Sequence, residues 1–195
     1  MNAMTKPTIL RTAKRLFATT GYEGFSMRTL AQESGVGLSS IYHFFNDKDV
    51  ILKEIFDATS RELGQERAKL PQTDSVSDML MDRIRFQFTH IESVVFVLKY
   101  YLHFRPSFLK LDSGYIPAKG YLHIKEVLEA GVQDDLFTIK SEEIDKEAKV
   151  IAHAINGFLL EYYPNPPKGP ELTEVCESIH RFLMRSLTNT EVPMK

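Results

Sequence analysis

Gly21-Tyr22-Glu23-Gly24-Phe25-Ser26-Met27-Arg28-Thr29-Leu30-Ala31-Gln32-Glu33-Ser34-Gly35-Val36-Gly37-Leu38-Ser39-Ser40-Ile41-Tyr42-His43-Phe44-Phe45 reads as two short helices joined at a glycine corner. Ser26 is a good N-cap, and Met27, Leu30 and Ala31 give the first helix a buried side. Ser34-Gly35-Val36-Gly37 ends it, because glycine tolerates the backbone that a sharp reversal needs. Ala31 is small enough to let the two helices cross closely. Val36 and Ile41 point inward and fix the angle. Ser39, Ser40, Tyr42 and His43 are left on the outer face of the second helix, the face that such a helix pair presents to a major groove.

Outward from this stretch the pattern is helical throughout, with no period-two strand. Upstream, Ile9, Ala13, Leu16 and Phe17 form one apolar stripe, and Gly21 stops it. Downstream, a fourth helix begins at Asn46-Asp47-Lys48-Asp49, with Asn46 as its cap and Asp47 and Asp49 at the positive end of its dipole. It continues through Val50, Ile51, Ile55 and Phe56 until Pro71-Gln72-Thr73-Asp74-Ser75 breaks it. Further helices are expected over 76–90, 91–105, 117–131, 141–163 and 171–188. Breaks are expected at Pro106, at Ser113-Gly114, between Gly131 and Phe137, and in the proline-rich loop 164–170. The fold class is all-α: an N-terminal three-helix unit over 1–52, then a larger helical domain over 53–195.

The whole chain of 195 residues has a net charge of −2, but residues 1–50 carry six basic residues against four acidic ones. A mildly basic head on an acidic body suits a protein that meets phosphate at one end. Cys176 is the single cysteine, so an intrachain disulfide is excluded and a reducing compartment is expected. The longest apolar run, Val94 to Leu98, is far short of a membrane span, and no signal-peptide core is read at the N-terminus. A cytoplasmic location follows as the expectation. No two histidines stand four apart, so no metal site is expected, nor any cofactor. With no nucleophile elbow, phosphate loop or paired acid and base, an enzyme is not expected either.

Ile41-Tyr42-His43-Phe44-Phe45 followed by Asn46-Asp47-Lys48-Asp49, with Leu16-Phe17, Gly21-Tyr22 and Met27-Arg28-Thr29-Leu30-Ala31, resembles the tetracycline-repressor (TetR) family of bacterial regulators. The likeness is dense in motifs over residues 9–52 and architectural beyond them. It implies a ligand-responsive transcriptional regulator, a repressor by the family's habit, that binds a palindromic operator in double-stranded DNA as a homodimer. The DNA-binding residues it implies are Ser26, Arg28, Thr29, Gly37, Leu38, Ser39, Ser40, Tyr42, His43 and Lys48. Tyr42 and Lys48 would each meet a phosphate, and Ser26 with the free amides beside it a third. Arg28 would reach a base or a phosphate, and the residues from Gly37 to His43 would line the recognition helix. Many relatives carry lysine where this chain has Leu38, which exchanges a phosphate contact for an apolar one and points to a T-rich operator.

Residues 84–123 are crowded with aromatic side chains. The resemblance implies that some of them line an effector pocket, for which Phe86, His90, Phe96, Tyr100, Phe104 and Tyr121 are the candidates. The implied guest is a small, mostly apolar or aromatic effector. It also implies that the last two helices meet a two-fold mate as a four-helix bundle. The candidates for that interface are Ile151, Ile155, Phe158 and Tyr162 on one helix, and Val175, Ile179 and Phe182 on the other, with Gly157 allowing close approach. A dimeric DNA-binding regulator without any effector is the alternative, and an absent cavity would favour it.

Overall fold

A computed structural model describes residues 5–108 and 121–188, the side chains of 102–108 excepted. Among the described residues the chain forms nine helices and no strand: α1 Thr5–Gly24, α2 Met27–Ser34, α3 Leu38–Phe44, α4 Lys48–Arg67, α5 Val76–Thr89, α6 Ile91–Phe108, α7 Leu122–Gln133, α8 Ile144–Tyr162 and α9 Pro170–Thr188. They divide into two compact units at Glu62 and Leu63, so the boundary falls inside α4, ten residues beyond Leu52.

In the first unit the stripe Ile9, Ala13, Leu16 and Phe17 is buried against Leu30, Ile41, Phe45, Ile51, Leu52 and Phe56. Phe17 and Phe25 stack face to face, their centroids 4.0 Å apart. Helical geometry in α1 fails at Gly21, whose φ of 70° lies in the left-handed region, and one further turn follows it. The cap of α4 is Asp47, not Asn46: its carboxylate accepts from Val50 N–H at 2.9 Å. The cap position directly precedes the first helical residue, and that residue is Lys48.

The second unit is built around α5, which packs against α6, α7, α8 and α9, while α7 also lies on α8. Its core joins Leu80, Ile84 and Phe88 of α5 to Val127 and Leu128 of α7, Ile155 and Leu159 of α8, and Cys176 and Leu183 of α9. Here α6 runs past Pro106 to Phe108, so the break expected at that proline is not found. The expected start of α7 at residue 117, and the break at Ser113-Gly114, lie outside the described residues. Near the end of α7 the backbone of Gly131 is pressed against the Phe137 ring, where a Cβ would fall 2.1 Å from a ring carbon. The Gly131 carbonyl also accepts from the N–H groups of Leu136 and Phe137, at 2.8 and 3.0 Å. That contact fixes the turn leaving α7.

Ile151, Ile155 and Ile179 do not belong to a surface that a second chain could meet. All three are buried in the core of their own unit. The apolar residues of α8 fall on an inward and an outward side, whereas on α9 Phe182 is the exposed large apolar residue; these three isoleucines lie on the inward sides. Tyr162 and Val175 are half-buried against the same core, and only Phe158 and Phe182 of the expected set are exposed, at 37% and 60%. Gly157 has open space before it within the chain.

Candidate functional site

The corner between α2 and α3 forms as its residues dictate. Ser26 is extended and its Oγ accepts from Thr29 N–H at 3.0 Å, while the two hydroxyls lie 2.7 Å apart. At the other end Gly35 takes the left-handed conformation, φ 67° and ψ 16°, and closes α2. Gly37 does not need that freedom, for its φ is −56° and it opens α3 as an N-cap. Leu30 and Ile41 are wholly buried between the helices.

This leaves one face of α3 to solvent. Ser39, Ser40, Tyr42 and His43 are all exposed, Tyr42 by half of its surface, and Arg28 on α2 is exposed beside the corner. Leu38 is half-buried, and the His43 ring meets Phe44 edge-on at 5.4 Å. Such a face offers hydroxyls, an imidazole and a phenol to whatever lies against it, and no carboxylate from α3 itself.

Lys48 differs from the free phosphate contact that the sequence suggests. Its ammonium sits 3.8 Å from the centre of the Tyr22 ring and donates to the Tyr22 carbonyl oxygen at 3.1 Å. Tyr22 in turn donates its hydroxyl to Asp49 Oδ1. That hydrogen bond, then burial and the charge of Asp49, push the Tyr22 phenol up to about 12. An ammonium has three N–H donors, so the tether fixes Lys48 at the start of α4 and leaves donors over. Sequence reasoning missed the role of Tyr22; its only signal was the Gly21-Tyr22 pair in the motif.

A second feature lies within the larger unit: a cavity of about 590 Å³. The last turn of α4, the loop that follows it, α5 and α7 form its walls. Its charged and polar groups are Arg67, Arg83, His123 and Glu126, with Gln72, Thr73 and exposed Asp74 from the loop. Leu70, Pro71 and Met79 supply the apolar wall.

Among the described side chains, none of the aromatic candidates for a pocket lines this space. Phe86 packs on His90 at 4.6 Å and Phe96 on Tyr100 at 4.7 Å, so these rings satisfy one another. Burial pushes the Tyr100 phenol up to about 12. Tyr121 is half-buried beside the Lys149 ammonium, 4.9 Å from its ring centre. Phe104 lies in α6, its side chain outside the described residues. Phe86 comes nearest to the cavity, because the Arg67 guanidinium lies over its ring at 5.2 Å.

Among the described residues no three His, Cys, Asp or Glu side chains are grouped to hold a metal ion. No described helix is long and apolar enough to cross a membrane.

Comparison with known proteins places these features. Residues 9–55 match the model of the bacterial regulatory proteins of the tetR family. Over 90 residues the chain is 31% identical to the uncharacterized HTH-type transcriptional regulator YhgD of Bacillus subtilis, a stretch that is 44% of this chain and 47% of that protein. Over 82 residues it is 30% identical to the HTH-type transcriptional repressor AcnR of Corynebacterium diphtheriae, covering 42% of this chain and 41% of the relative. The chain thus spans less than half the length of these curated relatives. The crystal structure of the TetR family transcriptional regulator PfmR from Thermus thermophilus superposes with a TM-score of 0.64 at 22% identity, over 91% of this chain and 97% of that one. That likeness is one of fold.

Proposed function

From a chain that belongs, by its N-terminal unit, to the tetR family of bacterial regulatory proteins, we infer a transcriptional regulator that binds an operator as a homodimer and releases it when a small molecule enters the larger unit. The observation that carries this reading is the exposed face of α3, where Ser39, Ser40, Tyr42 and His43 stand together on a helix fixed by the buried Leu30 and Ile41. Tyr42 meets a backbone phosphate and the serine hydroxyls read base edges. Lys48, held by Tyr22, meets a second phosphate. Ser26, Arg28 and Thr29 serve the backbone at the start of α2, and Gly37 and Leu38 lie closest to the bases.

A two-fold mate sets two such helices about one DNA turn apart, ~34–36 Å, and makes the operator palindromic. The outward side of α8 supplies the surface for that mate: Val150, Ala154, Gly157 and Phe158 fall at i, i+4, i+7 and i+8 and are all exposed. Phe182 on α9 extends it.

The cavity of about 590 Å³ favours a ligand-responsive regulator over a dimer without an effector. The last turn of α4 forms part of its wall, and the same helix starts at Lys48. A ligand that binds one conformer better than another shifts the population of both ends of that helix. As a DNA reader the protein works in the cytoplasm, and it acts by occupying a promoter rather than by catalysis.

Mobility-shift assays on DNA from the neighbourhood of its own gene test the reading. Tyr42→Phe should weaken binding to every sequence, whereas Ser39→Ala or Ser40→Ala should change which operator is preferred. If all three leave binding untouched, α3 is not the reader. Repression is tested by a reporter at the cognate promoter, whose output should rise on deletion of the gene; a fall would make the protein an activator.

A further inference from the structure

Among the described residues, the cavity in the larger unit holds more cationic donors than carboxylates to receive them. Two guanidiniums, of Arg67 and Arg83, line it. Arg67 is flanked by the Phe86 ring and feels the charge of Glu126 without forming a close ion pair with it among the described residues. Arg83 reaches Glu126 Oε2 only at 3.5 Å, and its buried Nε has no hydrogen-bond partner. The same Glu126 oxygen also lies 3.5 Å from His123 Nδ1, so one carboxylate is divided between two groups.

Burial, and then the nearby Arg83, press the Arg67 guanidinium below its ordinary range. Burial, and then Arg67, press the His123 imidazole down as well, so it is neutral at pH 7. Two arginines less one glutamate leave about one positive charge without a match, since Asp74 stands exposed at the edge, where water screens it. Unmatched charge held partly out of water and an unused buried N–H are both costly, and a guanidinium fork matches a carboxylate in shape.

We propose that the effector is an organic monocarboxylate, its carboxylate held by Arg67 and Arg83 and its apolar body lying on Leu70, Pro71 and Met79. This rests on the ligand-responsive reading above but differs from the apolar, aromatic guest that the sequence suggests. Glu126 then acts as a built-in competitor for the arginines, and an arriving carboxylate takes over the Arg83 donors. His123 adds a neutral donor or acceptor beside the head group.

Calorimetric titration of the full-length protein tests this with octanoate and phenylacetate, against octanol, phenylacetamide and inorganic phosphate. The two carboxylates should bind at least about tenfold more tightly than their neutral counterparts, and more tightly than phosphate, which lacks an apolar body. Arg83→Gln and Arg67→Gln should each weaken carboxylate binding roughly ten- to hundredfold. Glu126→Gln should instead strengthen it, a gain that a misfolded variant cannot show. Neutral compounds binding as tightly as the acids, Glu126→Gln weakening the acids, or no binding of either acid would each overturn the proposal.

Operator release is read separately. If the carboxylates bind and the operator stays occupied, the cavity assignment stands and the release mechanism fails. If only neutral molecules release the operator, the mechanism stands and the carboxylate assignment fails.

Discussion

The Lys48 ammonium lies 3.8 Å above the Tyr22 ring and donates to that residue's own carbonyl oxygen at 3.1 Å. The charge is therefore held in place before any DNA arrives, and little side-chain freedom is lost on binding. Replacing Lys48 by Met should lower affinity for all sequences and reduce the slope of log affinity against log salt by about one. It should also cost roughly 0.5–1 kcal/mol of stability through the lost ring contact. Tyr22→Leu should weaken binding yet keep the slope, because the charge remains. Salt-dependent mobility shifts separate the two.

The two glycines at the corner should respond differently to alanine. Gly35 has φ 67°, so Gly35→Ala should cost about 1–2 kcal/mol in urea unfolding. Gly37 has φ −56°, and an added Cβ would make an ordinary 3.8 Å contact with Ser40 Oγ. Gly37→Ala should leave stability almost unchanged and act, if at all, on operator preference.

Charge on the outward side of α8 or α9 should separate a dimer without unfolding the chain. Phe158→Glu and Phe182→Glu should each halve the mass measured by light scattering and leave the helical circular dichroism intact. Ile155→Glu, at a residue only 2% exposed, should unfold the larger unit instead. A wild-type chain already monomeric at working concentration would sink the dimer reading.

Alkaline conditions should destabilise the protein through two phenols. Tyr22 and Tyr100 each titrate near 12 in the folded chain against an ordinary value of 10.0. From pH 10 upward the unfolded chain has lost protons that the folded one still holds, so stability falls as pH rises toward 12. Below pH 10 both states hold them and the contribution is fully present. Denaturant midpoints across that window should drop, and less steeply in Tyr22→Phe and Tyr100→Phe.

What could be read from the chain was local. Ser26, Gly35 and the stripe Ile9-Ala13-Leu16-Phe17 act through neighbours within a turn or two, and the first unit follows from them almost residue by residue. The cap of α4 was placed one residue early because Asn46 and Asp47 are both good caps and only the backbone chooses between them. Ile151, Ile155 and Ile179 were misplaced for a deeper reason: apolar periodicity shows that a helix face is covered but not by which chain.

The cavity was the least legible feature. Its Arg67, Arg83, His123 and Glu126 come from three helices, and only His123 and Glu126, three apart on α7, are linked by spacing along the chain. The crowded aromatics are the stronger signal along the chain, yet Phe86 packs on His90 and Phe96 on Tyr100. Exposed Val150, on the same stripe as Phe158, stands next to buried Ile151, so apolar periodicity alone does not separate the two sides of α8.

The contact of Gly131 with the Phe137 ring has a consequence for how this protein can diverge. No side chain fits at 131 while phenylalanine occupies 137, and a smaller residue at 137 would leave a void that only a side chain at 131 could fill. The two positions are therefore free to drift as a pair and not singly. Among descendants of this chain, a methyl or larger group at 131 should be accompanied by a reduced side chain at 137.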